Sequence, residues 1–245
     1  MTAKTRLCLK RSYNIKDGKA YTKDLLFLHG YLSSGKSFYY QTRFFERDFN
    51  VYAPDLTGFG DNPDMPFPYS LDDYVSKVKE YIYAKNLKRP TVIAHSFGAR
   101  IAIKAASEDK GLFDKLVLTG AAGLKPKPAI TKTVKKTAFN ILKRFISREK
   151  LTKFYSKDYN ALSPVMKESF KKIVSFHLDD RLKDIDNKTL IIFGKNDKET
   201  PLYMAKRLNT GIKNSKLIVL ENAGHFCFID KPNKFNMEVK EFLLS

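Results

Sequence analysis

The sequence predicts an α/β domain built on a mostly parallel, doubly wound sheet, with a helical segment inserted after the sixth strand. Short apolar runs, such as residues 90–95 and 189–194, alternate with longer amphipathic runs. The apolar runs lack the polar alternation of half-exposed strands, which is typical of parallel strands covered by helices on both faces. A chain of 245 residues that is 43% hydrophobic is long enough to form one domain around a single core.

The first half of the chain supplies six of the predicted strands. Residues 6–15 and 19–28 flank Asp17-Gly18, a dipeptide typical of two-residue hairpin turns, and the second arm runs into the apolar strand 25–30. Ser70 and Asp73 have the spacing of a capping box. The pattern then predicts a helix over 37–46, a strand over 49–55, a helix over 71–85, a strand over 90–95, a helix over 97–107 and a strand over 115–122.

Residues 125–183 interrupt this alternation. Apolar residues three or four positions apart predict a helix there, namely Ile130, Val134, Ala138, Ile141 and Phe145. We interpret this segment as a lid over the carboxyl edge of the sheet, and residues 1–124 and 184–245 as the core domain. After it the pattern predicts a strand over 189–194, a helix over 201–209, a strand over 216–224 and a last helix over 232–244.

A candidate nucleophile lies where the strand 90–95 meets the next helix. Ala94-His95-Ser96-Phe97-Gly98 places Ser96 in a strand-to-helix turn whose outer positions, Ala94 and Gly98, are small. Gly is the usual residue at the first of these positions, and alanine adds one methyl group. Small residues let the strand and the helix approach each other closely, so the turn predicts an exposed, nucleophilic serine.

Two further residues follow later strands in the order that a serine–acid–histidine site requires. Asp197 comes after the strand 189–194, and His225 comes after the strand 216–224. We therefore predict that Ser96, Asp197 and His225 form a catalytic triad. Glu199 is the alternative acid, whereas Asp186 precedes its strand and lies at the wrong edge of the sheet.

Backbone N–H groups complete the predicted site. Gly30 ends the strand 25–30 and lets the chain pass close to a ligand, so the N–H groups of Tyr31 and Phe97 are the expected oxyanion donors. His29 is interpreted as a structural loop residue, and His95, next to the nucleophile, is expected to point elsewhere.

These motifs resemble the α/β-hydrolase superfamily. HGYL, PDLTGFGDNP, AHSFGAR, FGKNDKETP and NAGHF occur in the order of that family and span nearly the whole chain. Within it, the chain is similar to the lidded group that includes carboxylesterases and carbon–carbon bond hydrolases of ring-cleavage products, and most similar to uncharacterised bacterial members. The resemblance implies a serine hydrolase of a small ester or related carbonyl compound. Carbon–carbon cleavage or a lyase step by the same triad is the alternative, and a non-catalytic binding protein is a third class.

No metal or organic cofactor is needed for this chemistry. Cys8 and Cys227 lie in apolar strings and are interpreted as small buried hydrophobic residues, although Cys227 lies near His225 and could be a nucleophile. No apolar run has the length of a membrane span or a signal peptide, so we expect a cytoplasmic enzyme.

The formal net charge is +19, which raises the question of an anionic partner. No nucleic-acid-binding motif accompanies the charge, so we expect a small-molecule substrate and no nucleic acid. The segment 125–183 nevertheless holds 16 lysines and arginines against 5 aspartates and glutamates. Such a lid could contact an anionic membrane or attract acidic substrates. We favour the simpler interpretation, in which its apolar face packs on the core and its lysines are solvated.

Overall fold

The structure is a computed structural model that describes residues 14–16, 19–21, 23–63, 65–127 and 162–245. Its strands, numbered in chain order, are β1 (Asn14–Lys16), β2 (Lys19–Tyr21), β3 (Asp24–Leu28), β4 (Asn50–Tyr52), β5 (Thr91–His95), β6 (Lys115–Thr119), β7 (Lys188–Gly194) and β8 (Ser215–Leu220). Its α-helices are α1 (Tyr39–Phe45), α2 (Leu71–Ala84), α3 (Phe97–Glu108), α4 (Pro164–Val174), α5 (Leu202–Gly211), α6 (Cys227–Asp230) and α7 (Pro232–Leu244). Short 3₁₀ helices cover Gly35–Phe38 and Asp179–Asp184.

Strands β3 to β8 form one six-stranded sheet in the order β4-β3-β5-β6-β7-β8, and every neighbouring pair is parallel. Strands β1 and β2 pair with each other as an antiparallel hairpin. The predicted fold class is therefore confirmed. Because the six strands are parallel, their carboxyl ends lie at one edge, where β5 and β6 pair His95 with Thr119.

Helices cover both faces of this sheet. Neighbouring residues of β3 point to opposite sides, so that Leu26 joins a core cluster with α2, α3 and α5, while Phe27 joins one with α1 and α7. All five residues of β5 are buried. Burial on both faces explains why the strands read as continuous apolar runs in the sequence.

The capping box of α2 is present as the spacing predicts. The backbone N–H of Asp73 donates to the Ser70 hydroxyl at 3.2 Å, and the Asp73 carboxylate accepts the Ser70 backbone N–H at 2.7 Å. This reciprocal pair supplies partners for two N–H groups at the helix start, which fixes where α2 begins.

Three strands end three or more residues earlier than predicted, and each ends for a local reason. β4 stops at Tyr52 because Pro54 has no N–H to donate and Asp55 turns to accept the N–H groups of Gly35 and Asp61, at 2.6 and 2.7 Å. β6 stops at Thr119 because Gly120 adopts a φ of +50°. β8 stops at Leu220, two residues before Asn222, whose φ is +53°.

Helix α4 lies at the end of the predicted insertion and is attached to the core. The Arg100 guanidinium on α3 donates to the carbonyls of Ile173 and Phe176, and the Ser169 hydroxyl donates to the Tyr69 carbonyl at 2.8 Å. The helix predicted around Ile130 to Phe145 lies outside the described residues. The lid and the division at 125–183 therefore stay predictions.

None of the described helices combines the length and the apolar character needed to cross a bilayer.

Candidate active site

Ser96 occupies a strained turn between β5 and α3. Its φ of +50° and ψ of −106° are unusual for a residue with a side chain, and such backbone strain costs about 1–3 kcal/mol. The turn is held by hydrogen bonds: the Ser96 N–H donates to the Thr119 carbonyl at 3.1 Å, and the Ser96 carbonyl accepts the N–H groups of Arg100 and Ala122. This conformation is the one expected of a nucleophile at a strand-to-helix turn.

Gly98 allows α3 to approach β3 closely. A Cβ atom at Gly98 would lie 2.1 Å from the Leu28 carbonyl oxygen, so no larger residue fits without moving the backbone. The Gly98 N–H also donates to the His29 carbonyl at 3.0 Å. The requirement for a small residue two positions after Ser96 is thus met by direct backbone contact.

Asp197 lies in the turn after β7 with its carboxylate buried. One oxygen accepts the N–H groups of Glu199 and Thr200, both at 2.9 Å, and the other accepts the Thr200 hydroxyl at 2.8 Å. Burial on its own would raise the pKa of Asp197, but the hydrogen bonds from His225 and Thr200 outweigh it and hold the pKa below its usual value. The carboxylate therefore stays ionised in the folded protein.

His225 lies in the loop after β8 and pairs with Asp197. Its Nδ1 is 2.9 Å from the Asp197 carboxylate, and 14% of its side chain is exposed, against 0% for Asp197. Gly120 lies close to it, since a Cβ atom there would be 3.1 Å from both the Nδ1 and the carbonyl oxygen of His225. The imidazole is thus oriented by an anion at Nδ1 and stays partly exposed.

The structure brings Asp197 and His225 into direct contact and positions Ser96 at the same edge of the sheet. No hydrogen bond joins the Ser96 hydroxyl to His225, both of which are described. Such bonds are often long before substrate binds. Glu199, the alternative acid, is exposed and contributes its backbone N–H to Asp197, while Asp186 pairs with Lys110 at 2.5 Å.

The segment around Gly30 passes directly against the nucleophile. A Cβ atom at Gly30 would lie 3.5 Å from the Cβ of Ser96. The next residue, Tyr31, packs its ring against Phe97 with the centroids 5.5 Å apart. The two residues predicted to supply the oxyanion donors therefore lie side by side, although the roles of their N–H groups stay a prediction.

His29 has the structural role that the sequence predicts. It is fully buried, its Nδ1 lies 2.8 Å from the Gly30 carbonyl oxygen, and its Nε2 accepts the Leu56 N–H at 2.9 Å. Because Nε2 accepts, Nδ1 carries the proton and donates to Gly30. Burial lowers the pKa of His29, which keeps the ring neutral.

Aromatic side chains and the backbone of α4 border Tyr31. Its ring contacts Phe59 and Phe170, with centroids 4.9 and 5.1 Å apart, and its hydroxyl donates to the Met166 carbonyl at 3.2 Å. Phe170 and Met166 belong to α4. Helix α4 therefore packs directly on the segment that borders Ser96.

Cys227 does not have the environment of a nucleophile. Its thiol is buried and lies 3.2 Å from the Thr119 hydroxyl, and burial raises its pKa to about 11. A nucleophilic cysteine must form a thiolate near neutral pH, so this geometry favours the buried hydrophobic role. Cys8 lies outside the described residues. Among the described residues, no group of three or more His, Cys, Asp and Glu side chains is arranged to hold a metal ion.

Sequence reasoning missed two residues of this site. Thr200 supports Asp197 through both its backbone and its hydroxyl, and the hydroxyl also lies 3.3 Å from the Nδ1 of His225. The spacing of Asp197 and Thr200 is typical of a carboxylate that accepts N–H groups two and three residues later. His95 was expected to point elsewhere, but its ring packs against that of His225, and no sequence signal indicates this contact.

Comparison with known proteins agrees with this architecture. Residues 25–238 match the Alpha/beta hydrolase family. The AB hydrolase superfamily protein YisY of Bacillus subtilis is 29% identical over 249 residues, covering 90% of this chain and 91% of that protein. The 2-hydroxy-6-oxononadienedioate/2-hydroxy-6-oxononatrienedioate hydrolase 2 of Pseudomonas putida is 30% identical over 222 residues, covering 80% and 77%.

Among solved structures, a meta-cleavage product hydrolase of Pseudomonas fluorescens IP01 has a TM-score of 0.69 with this chain. The two share 24% identity, and the match covers 91% of each chain. At that identity the likeness shows a common fold. Because the family match spans most of the chain and includes Ser96, Asp197 and His225, the chain belongs to the α/β-hydrolase family.

Proposed function

We propose that this hydrolase cleaves a small ester or a related carbonyl compound through an acyl-enzyme on Ser96. The Ser96 Oγ bonds to the carbonyl carbon while the Nε2 of His225 takes the hydroxyl proton. The bond to the leaving alcohol then breaks, and His225 gives the proton to the alcohol oxygen. Water attacks the acyl-enzyme in the same way and releases the acid, with the Ser96 hydroxyl restored.

The other residues stabilise charge in this sequence of steps. Asp197 holds the His225 tautomer in which Nδ1 carries a proton, and it balances the positive charge that forms on the ring. The N–H groups of Tyr31 and Phe97 receive the oxyanion of the tetrahedral intermediate. The chain needs no cofactor for any of these steps.

The observation that supports this proposal most strongly is the 2.9 Å contact between His225 Nδ1 and the Asp197 carboxylate. A histidine bound through Nδ1 to an ionised carboxylate has a free lone pair on Nε2, which is the requirement for a general base. Ser96 lies on a strained turn at the same edge of the sheet. Its hydroxyl is a weak nucleophile until a general base such as His225 takes its proton.

A second candidate function is hydrolysis of a carbon–carbon bond by the same triad. The Pseudomonas putida relative described above is named for hydrolysis of oxo-dienedioates, and a related hydrolase from the same species is named for 2-hydroxy-6-oxo-2,4-heptadienoate at 24% identity. Their names favour a vinylogous diketone as the alternative substrate class.

A substrate panel would distinguish the two functions. We expect the purified protein to hydrolyse short-chain p-nitrophenyl esters with a higher kcat/KM than a vinylogous 1,5-diketone. Ser96→Ala protein measured in parallel corrects for ester hydrolysis that the site does not catalyse. A reversed preference, with the diketone cleaved and the esters left intact, would replace the esterase proposal with the carbon–carbon hydrolase.

The basic insertion leads to a prediction about ionic strength. Residues 125–183 carry a net charge of +11 out of the +19 of the whole chain. This segment includes α4, which borders the site. If this charge attracts anions, kcat/KM for a carboxylate-bearing ester should fall steeply as the salt concentration increases. The reason is that the Debye screening length falls to about 3 Å at 1 M salt. A neutral ester of the same size should change little.

The same salt series tests the membrane alternative. Cosedimentation with anionic vesicles at low and high salt measures surface binding independently of turnover. Equal salt responses of the two esters, together with no vesicle binding, would show that the basic insertion is only a solvated surface.

A further inference from the structure

His95 lies directly against the loop that carries the proposed base. It ends β5, only 1% of it is exposed, and its ring centroid is 4.6 Å from that of His225. The rings of Phe226 and Phe228 pack against it at 4.9 and 5.0 Å. The mechanism proposed above assigns no role to this buried, titratable side chain.

The contacts of His95 determine its tautomer. Its Nε2 lies 3.1 Å from the backbone carbonyl oxygen of His225, and a carbonyl can only accept, so Nε2 must carry a proton. Burial and the charge of the neighbouring His225, with a smaller contribution from His29, lower the pKa of His95 to about 3, and the hydrogen bond to the His225 carbonyl and the charge of Asp197 oppose this shift. The ring is therefore neutral, and Nδ1 carries no proton.

The Nδ1 atom is left without a partner. It is buried and has no hydrogen bond within the described part of the chain, and it faces Gly30, where a Cβ atom would lie 2.8 Å away. A buried acceptor without a donor destabilises the folded state. Packing alone among phenylalanines would favour an apolar residue, so the contact made by Nε2 is the feature that distinguishes histidine here.

We propose that His95 is a positioning residue for the base, in that its Nε2–H fixes the His225 backbone while its ring supports the imidazole. This inference rests on the proposed function. His225 is then held at two points, by Asp197 at Nδ1 and by His95 at its carbonyl. Because His95 and Ser96 are consecutive, one strand end carries both the nucleophile and the support of the base, which sets their separation.

The test compares His95→Gln with His95→Met. The two replacement side chains have nearly the same length and volume, but only glutamine has a terminal N–H that can reach the His225 carbonyl. We expect the Met variant to lose about 10- to 100-fold in kcat on an ester with KM within about twofold of the original, since small misplacements of a catalytic group are costly. The Gln variant should recover most of the loss.

Two further readouts separate positioning from other roles. The kcat/KM profile of the Gln variant should keep the original shape between about pH 5 and pH 9, because His95 stays neutral and transfers no proton. In NMR spectra without substrate, the Nδ1–H signal of His225 should exchange with solvent faster in the Met variant than in the Gln variant. That signal does not depend on the enzyme's reaction.

Thr91→Val is the matched control, since Thr91 is buried at the opposite end of β5. It should keep kcat even where it lowers the melting temperature. Equal kcat for the Gln and Met variants, or loss of one limb of the pH profile in the Gln variant, would overturn the proposal.

If the Met variant does not fold, the His95→Asn variant takes its place in the comparison. The asparagine side chain is one methylene shorter than that of glutamine, so its amide does not reach the His225 carbonyl. Equal kcat for Asn and Gln would then overturn the proposal. Activity that survives Ser96→Ala would instead refute the proposed function, and the NMR comparison would still decide the role of His95.

Discussion

Replacing Ser96 with alanine is expected to lower kcat/KM for an ester by about 10⁶-fold, as with other serine triads. The substitution removes the only atom that the mechanism bonds to substrate. It leaves the turn in place, since serine and alanine bear similar backbone strain at a φ of +50°. The melting temperature should therefore change little, and steady-state kinetics on a p-nitrophenyl ester would measure the loss.

A fluorophosphonate probe checks the same residue without a substrate. We expect one label per chain in the original protein and none in the Ser96→Ala variant. Ser76→Ala is a suitable control, because Ser76 is exposed on α2. Retention of a tenth of the ester activity after Ser96→Ala would eliminate the assignment, and absence of labelling would favour a non-catalytic binding protein.

Replacing Asp197 with asparagine is expected to lower kcat by about 10⁴-fold, by analogy with triads in which the acid orients the base. An amide at this position presents an N–H to Nδ1 and favours the tautomer that leaves Nε2 protonated. The Ser96 proton then has no acceptor. KM should change much less than kcat, because Asp197 is buried behind His225 and would not contact the substrate.

Glu199→Gln provides the comparison for this result. Its side chain is exposed, and Asp197 receives only its backbone N–H, so the variant should remain active. A large loss in the Glu199→Gln variant with a mild effect of Asp197→Asn would mean that the acid has been misassigned.

Thermal unfolding gives a second readout of Asp197. Because its pKa is lowered in the folded state, the ionised carboxylate stabilises the fold at pH values above its unfolded pKa. This stabilisation is lost as the pH falls through the lower, folded pKa. The melting temperature of the Asp197→Asn variant should consequently depend less on acidic pH than that of the original protein.

The sequence was sufficient to predict a mostly parallel sheet, because each of its strands is a continuous apolar run followed by turn residues. It also predicted that Ser96, Asp197 and His225 would follow strands at a common edge. Parallel topology alone brings those three positions together, and the contact between Asp197 and His225 agrees with it.

Contacts that depend on tertiary packing could not be predicted in this way. β4 ends early because the Asp55 carboxylate accepts the backbone N–H groups of Gly35 and Asp61. One of these residues precedes Asp55 in the sequence and the other follows it. The contact of His95 with His225 joins positions 130 residues apart, and no periodicity encodes it. Of these contacts, only the one between Thr200 and Asp197 has a local sequence pattern, because the two residues are three positions apart.

The attachment of α4 through Arg100 bears on how this enzyme could diversify. Burial lowers the pKa of Arg100 to about 10, so it stays charged at neutral pH, and it binds the backbone carbonyls of Ile173 and Phe176. In the described part of the chain no carboxylate forms an ion pair with it. These acceptors are backbone oxygens, so substitution of the side chains does not remove them. Substitutions at α4 positions that face Tyr31, such as Phe170, can therefore reshape the wall beside Tyr31 while the contact with Arg100 is kept, which leaves substrate preference free to evolve on a fixed anchor.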